Sequence, residues 1–208
     1  VRSDVLIVAR PGRAPHLEGG GAIAVRRTGP ETVHLVSAAA TPLGGDVLRL
    51  RVVVEEGARL QVRTVAATVV LPSVATVESH ACWTVEVAGT LDLDPEPTIV
   101  AGPSRHVAHT VLSLTGDASL RLRERVQIGR SGEREGFWSG MLRADVDGTA
   151  LLRHRTELGC GSLADDEIAA PRAYEAELHY PATDVVTAGM TLALAGGGCL
   201  TTWQGDRL

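Results

Sequence analysis

The stretch Val47-Leu48-Arg49-Leu50-Arg51-Val52-Val53-Val54-Glu55-Glu56-Gly57-Ala58-Arg59-Leu60-Gln61-Val62-Arg63 decides the fold class. Leu48, Leu50, Val52 and Val54 alternate with Arg49, Arg51 and Val53, the period-two pattern of a half-buried strand. Glu55 to Ala58 is a turn, after which Leu60 and Val62 alternate with Arg59, Gln61 and Arg63. The unit returns twice. Trp83, Val85 and Val87 lead through Gly89-Thr90 to Leu91 and Leu93, and Leu112 and Leu114 lead through Gly116-Asp117-Ala118-Ser119 to Leu120 and Leu122. The leucines that follow the turns, Leu60, Leu91 and Leu120, recur at about 30 residues, a period at which stacked repeats come into question. A strand–turn–strand unit cannot bury both of its faces alone, and stacking supplies the missing contacts. A run of ordinary β-hairpins fits the same alternation, so the sequence leaves both arrangements open.

Outward from this stretch the pattern thins. Before Ala40, Val5 to Val8 and Thr32 to Val36 read as short strands between Gly- and Pro-rich loops. After it, Ala144-Asp145-Val146-Asp147-Gly148-Thr149 places an Asp-Gly pair between alternating segments, a strong hairpin signal. Leu163 to Ala170 is acidic and free of glycine, and reads as one short helix ending before Pro171. Tyr174 to Tyr180 and Met190 to Ala195 return to strand. The expectation is a single all-β domain over 1–208, a β-helix-like stack of strands and hairpins with one or two short helices.

Composition narrows the function. Hydrophobic residues make up 44% of the 208 residues but aromatics only 3%, so Val, Leu and Ala must fill the core. The net charge is −5, the wrong sign for a nucleic-acid footprint. Every basic side chain is Arg, which rules out a Walker lysine, a Schiff-base lysine and a lysine general base. Cys82, Cys160 and Cys199 are odd in number and form no C-x-x-C, which argues against a disulfide framework or a zinc ribbon. No apolar run has the length of a membrane span and no signal-peptide pattern opens the chain, so a cytoplasmic location is expected.

Enzyme motifs are missing: there is no Gly-x-Ser-x-Gly, His-Glu-x-x-His, P-loop or dinucleotide fingerprint. Asp92/Asp94 and Asp165/Asp166/Glu167 are carboxylate groupings that read first as solvated faces. His106 and His109 fall on a strand and therefore point to opposite faces. His80 and Cys82 share a strand face, with Cys82 read as a buried structural thiol. His154 reads as a satisfied core histidine. Glu124 stands out, because it follows Leu120 and Leu122 and precedes Val126 and Ile128 on the apolar side of a strand. A carboxylate there must be paired, hydrated or bound to a cation. A buried ion pair with an Arg is one expectation. A polar passage for a divalent cation is the other.

Four segments in order carry a family resemblance: Pro42-Leu43-Gly44-Gly45-Asp46-Val47-Leu48-Arg49-Leu50; Thr64-Val65-Ala66-Ala67-Thr68; Leu91-Asp92-Leu93-Asp94-Pro95-Glu96-Pro97-Thr98-Ile99; and Glu124 to Arg130. Together they resemble the UreD (UreH) family of urease accessory proteins, best over 42–158. The family's Trp before the Pro-Glu-Pro segment is replaced here. The resemblance implies a non-catalytic scaffold with no tightly bound cofactor, which binds apo-urease and UreF and helps deliver nickel to the urease active site. UreF would recruit the GTPase UreG, which carries nickel, and a dimer within the accessory complex fits the same picture. Asp46 and Glu124 are then the expected metal contacts of a transient Ni²⁺ passage, with Thr64 and Thr68 lining it. The rivals are a β-solenoid or β-sandwich binding module unrelated to nickel, and an autonomous nickel store. Few aromatics speak against sugar stacking, and the lack of a dense His or Cys cluster speaks against storage.

Overall fold

The computed structural model describes residues 1–166, 170–182 and 189–208. Its strands, in chain order, are β1 (Arg2–Ala9), β2 (His16–Gly19), β3 (Ile23–Arg27), β4 (Thr32–Ser37), β5 (Val47–Val54), β6 (Arg59–Thr64), β7 (Thr68–Val70), β8 (Glu78–Val87) and β9 (Thr90–Leu93). They continue with β10 (Thr98–Val100), β11 (Arg105–Leu114), β12 (Ser119–Ile128), β13 (Phe137–Val146), β14 (Thr149–Gly159), β15 (Ala173–Tyr180), β16 (Met190–Ala193) and β17 (Cys199–Gly205). No helix occurs among the described residues. The helix expected over 163–170 is a turn as far as Asp166, with the Asp165 N–H donating to the Ser162 carbonyl at 3.1 Å; residues 167–169 lie outside the described chain.

The strands form two facing sheets. One has seven strands in the order β14-β13-β11-β8-β5-β1-β2; the other has ten and runs β16-β17-β15-β12-β9-β6-β4-β3, with β10 beside β12 and β7 beside β10. Parallel pairing settles the choice that the sequence left open. β5, β8, β11 and β13 are parallel neighbours in the first sheet, and β4, β6, β9 and β12 in the second. Consecutive hairpins would pair antiparallel, whereas here the chain crosses from one sheet to the other and returns one layer on, as a β-solenoid does. The repeat is visible in the register: Leu60 pairs with Leu91, and Leu91 with Leu120. The next inward row runs Val33, Val62, Leu93, Leu122, Leu178 and Leu200 across six strands. All six side chains are buried, and stacking like on like fills the space between the sheets without bulky aromatics.

The first forty residues belong to the same stack. β1 lies parallel to β5, and β4 lies parallel to β6, so they add one more turn beneath the repeats. The expected hairpin at Asp147-Gly148 joins β13 to β14, and both residues take positive φ (48° and 76°) as a tight two-residue turn requires.

Candidate functional site

Between the sheets is a cavity of about 220 Å³. Its floor follows from the register. On the inner face of the first sheet, Ala81, Ala108 and Gly140 stand side by side on β8, β11 and β13, so three neighbouring strands offer almost no side-chain volume. The Gly140 position is partly filled by the Trp138 indole, which would lie 2.1 Å from a Cβ placed there. Larger neighbours, Leu48, Leu50, Trp83, Leu93 and Leu122, complete the apolar walls.

Glu124 faces this space from β12. Leu122 and Val126 beside it are buried inward, whereas Arg121, Arg123 and Arg125 take the outer face. The ion pair expected for Glu124 does not form, because those arginines are engaged elsewhere. Arg121 reaches Asp92, Asp94 and Glu177 at 2.8–3.1 Å, Arg123 reaches Glu175 at 2.7 Å, and Arg125 reaches Asp94 at 3.0 Å. The Asp92/Asp94 pair is therefore part of an outer ionic ladder and is no acid–base site. Glu124 makes no hydrogen bond and no ion pair among the described residues. Its accessible area opens into the cavity, which it lines. Enclosure by protein raises its pKa from 4.5 to about 7.

The mouth is built by two of the sequence segments singled out above. Between β6 and β7 the chain passes through Val65-Ala66-Ala67, and between β9 and β10 through Asp94-Pro95-Glu96-Pro97. The Glu96 N–H donates to the Thr64 hydroxyl at 2.9 Å, that hydroxyl donates to the Ala66 carbonyl at 3.0 Å, and the Thr68 N–H donates to the Pro97 carbonyl at 2.9 Å. Arg125 holds the second loop through Asp94 and the Pro95 carbonyl, at 3.0 and 2.7 Å. Thr64, its hydroxyl already committed, lines the cavity together with Thr68 and Glu96.

Asp46 is placed elsewhere. It is 3% exposed and is not among the cavity-lining residues, although its hydrogen-bond donor Thr41 is. Its carboxylate accepts from the Thr41 hydroxyl and the Leu43 N–H, both at 2.9 Å. Burial alone would raise its pKa, but these donors outweigh burial and hold it below the ordinary value. Gly44 precedes it because a Cβ there would sit 1.8 Å from the Thr76 carbonyl oxygen. The Gly-Gly-Asp segment is a braced turn.

The histidines divide as expected in direction. His109 is exposed on the outer face, and His106, three residues before, is 3% exposed and lines the cavity. The His106 Nδ1 lies 2.9 Å from the Ser79 hydroxyl. Burial, aided by His80, lowers its pKa to about 4, so the ring is neutral at pH 7. His154 is satisfied by Tyr174 and Thr156, both at 2.9 Å. Cys82 corrects the reading of a buried thiol: it is half-buried on the outer face with His80, because Ser79 and Ala81 take the inward positions. No group of three or more His, Cys, Asp or Glu converges on one metal position among the described residues.

The family model described as "UreD urease accessory protein" matches residues 15–195. The chain belongs to the UreD family of urease accessory proteins. The match is wider than the 42–158 of the sequence motifs and takes in β4. The urease accessory protein UreD of Frankia alni is 48% identical over 158 residues, covering 72% of this chain and 53% of that protein. UreD 1 of Saccharopolyspora erythraea is 40% identical over 183 residues, 84% of this chain and 72% of the relative. UreD of Streptomyces coelicolor is 39% identical over 176 residues, 77% and 67% respectively. The chain therefore spans about half the length of the Frankia relative that it matches. These relatives are named as urease accessory proteins.

Proposed function

We propose that this chain is a non-catalytic scaffold of urease maturation in the cytoplasm, docking on apo-urease and on UreF, and through UreF on the nickel-carrying GTPase UreG. Within that role, Ni²⁺ moves through the cavity beside Glu124. The observation that carries this reading is a carboxylate on the apolar side of a strand, without an ionic partner, facing a cavity whose mouth is made of UreD-family segments. A hard oxygen donor that is not part of a full cage holds a hydrated divalent ion loosely and lets it go, as transfer requires. Thr68 and Glu96 supply oxygen atoms along the way, Thr64 keeps the mouth in shape, and Asp46 acts at one remove by bracing the wall through Thr41.

Co-purification with tagged urease subunits and UreF tests the docking. Metal analysis of the urease matured by wild-type and Glu124→Gln complexes tests the route. Intact complexes carrying under-loaded urease are the expected result. Fully loaded urease from the variant would remove Glu124 from the route, and failure to co-purify would remove the scaffold.

A further inference from the structure

His106 enters the cavity from the wall opposite Glu124, on β11 of the other sheet. The ring is held from behind: Ser79, directly across in the β8–β11 register, meets Nδ1 at 2.9 Å. Nε2 has no hydrogen-bond partner among the described residues, although the side chain is 3% exposed and no buried polar atom of His106 is left unpaired. The free nitrogen therefore looks into the cavity. A buried imidazole with one nitrogen tethered to a hydroxyl and the other open to a chamber is arranged as metal-binding histidines are, with an outer partner fixing tautomer and orientation.

We propose that His106 Nε2 is a nitrogen ligand for the transition-metal ion in this cavity, and that it selects nickel over the hard cations that Glu124 alone would admit. This rests on the reading of the cavity as a nickel route. A carboxylate and water suit Mg²⁺ and Ca²⁺ as well as Ni²⁺, whereas imidazole favours the later transition metals. With Ser79 accepting from Nδ1–H, Nε2 presents its lone pair to the ion. Two protein donors and retained water make a station, not a store, in line with the absence of a three-ligand cluster among the described residues.

The test is NMR of the histidine side chains of the full chain, with the His106 signals assigned by His106→Gln, titrated with Ni²⁺ alone and with Mg²⁺ alone. Selective broadening of the His106 ring signals by sub-stoichiometric Ni²⁺, and no response to Mg²⁺, is the expected result. Ser79→Ala, which leaves the ligand in place, is expected to weaken the Ni²⁺ response about tenfold. Equilibrium dialysis against excess Mg²⁺ gives a second readout: His106→Gln is expected to lose the preference for Ni²⁺, and Glu124→Gln to weaken binding of both ions. His106 signals that ignore Ni²⁺ while Glu124→Gln still under-loads urease would overturn the nitrogen ligand and leave the route standing. Silent His106 together with fully loaded urease from Glu124→Gln would overturn both. Should His106→Gln fail to fold, the His106 signals are assigned by their shift in Ser79→Ala, and the wild-type and Ser79→Ala titrations decide.

Discussion

Glu124 and Asp46 are both acidic residues within UreD-like segments, yet their surroundings give them opposite behaviour. Glu124 holds its proton more tightly in the folded chain than in the unfolded one, because its pKa rises from 4.5 to about 7. The folded state therefore binds more protons between these values, and the contribution of Glu124 to stability falls as pH rises through about 7. At about 1.4 kcal/mol per unit the penalty above neutrality is at most about 3.5 kcal/mol. Glu124→Gln is thus expected to stabilise the chain at about pH 8 and to change little at about pH 5, by denaturant unfolding at each pH. Equal effects at both would deny the enclosed, unpartnered carboxylate. Asp46 has the reverse sign. Its lowered pKa stabilises the fold above the ordinary aspartate value, and that contribution is lost as pH falls through the folded value. Asp46→Asn, which weakens bonds from Thr41 and Leu43, is expected to cost about 1.5–3 kcal/mol near neutrality. Sequence reasoning located Glu124, since alternation alone places it inward. It could not separate Asp46 from the cavity, because a turn has no period from which to infer direction. It overlooked His106 as a cavity residue, having weighed it only as a pair with His109.

At the scale of strands, the leucine repeat is the part of the fold most legible in the sequence. Leu60, Leu91 and Leu120 stack as their spacing implies, and Leu91 sits between the other two at 1% exposure. Leu91→Ala removes contacts on both sides and is expected to cost about 2–5 kcal/mol, read as a lower denaturation midpoint. A loss under about 1 kcal/mol would mean that the coils do not share a continuous core. What the sequence withheld was pairing direction. Alternation is the same in parallel and antiparallel strands, so the choice between stack and hairpins rests on long-range register that no local pattern records. The first two hairpins were obscured for a different reason: Pro11-Gly12 and Gly19-Gly20-Gly21 interrupt strands too short to show a period. The acidic stretch at 163–166 has helix-compatible residues, but Asp165 turns its carboxylate back to the Gly161 N–H and to Arg172, which closes a turn instead.

The described residues form two sheets with small residues in register at one level, and this is what leaves the cavity beside Glu124. Ala108 lies at the centre of that level, between Ala81 and Gly140. Ala108→Leu adds three carbons to the cavity without removing a charge, a mouth residue or a member of the outer ionic ladder. Added methylenes cost about 1–3 kcal/mol in a well-packed core, and an existing space lowers that cost, so docking should survive. The decisive measurement is therefore the nickel content of urease matured by accessory complexes that carry Ala108→Leu, with complex recovery followed in the same preparation. Passage through the cavity predicts complexes recovered in wild-type yield and urease deficient in nickel. Urease fully loaded with nickel from intact Ala108→Leu complexes would contradict it, and would place the route of the metal outside this chain's interior.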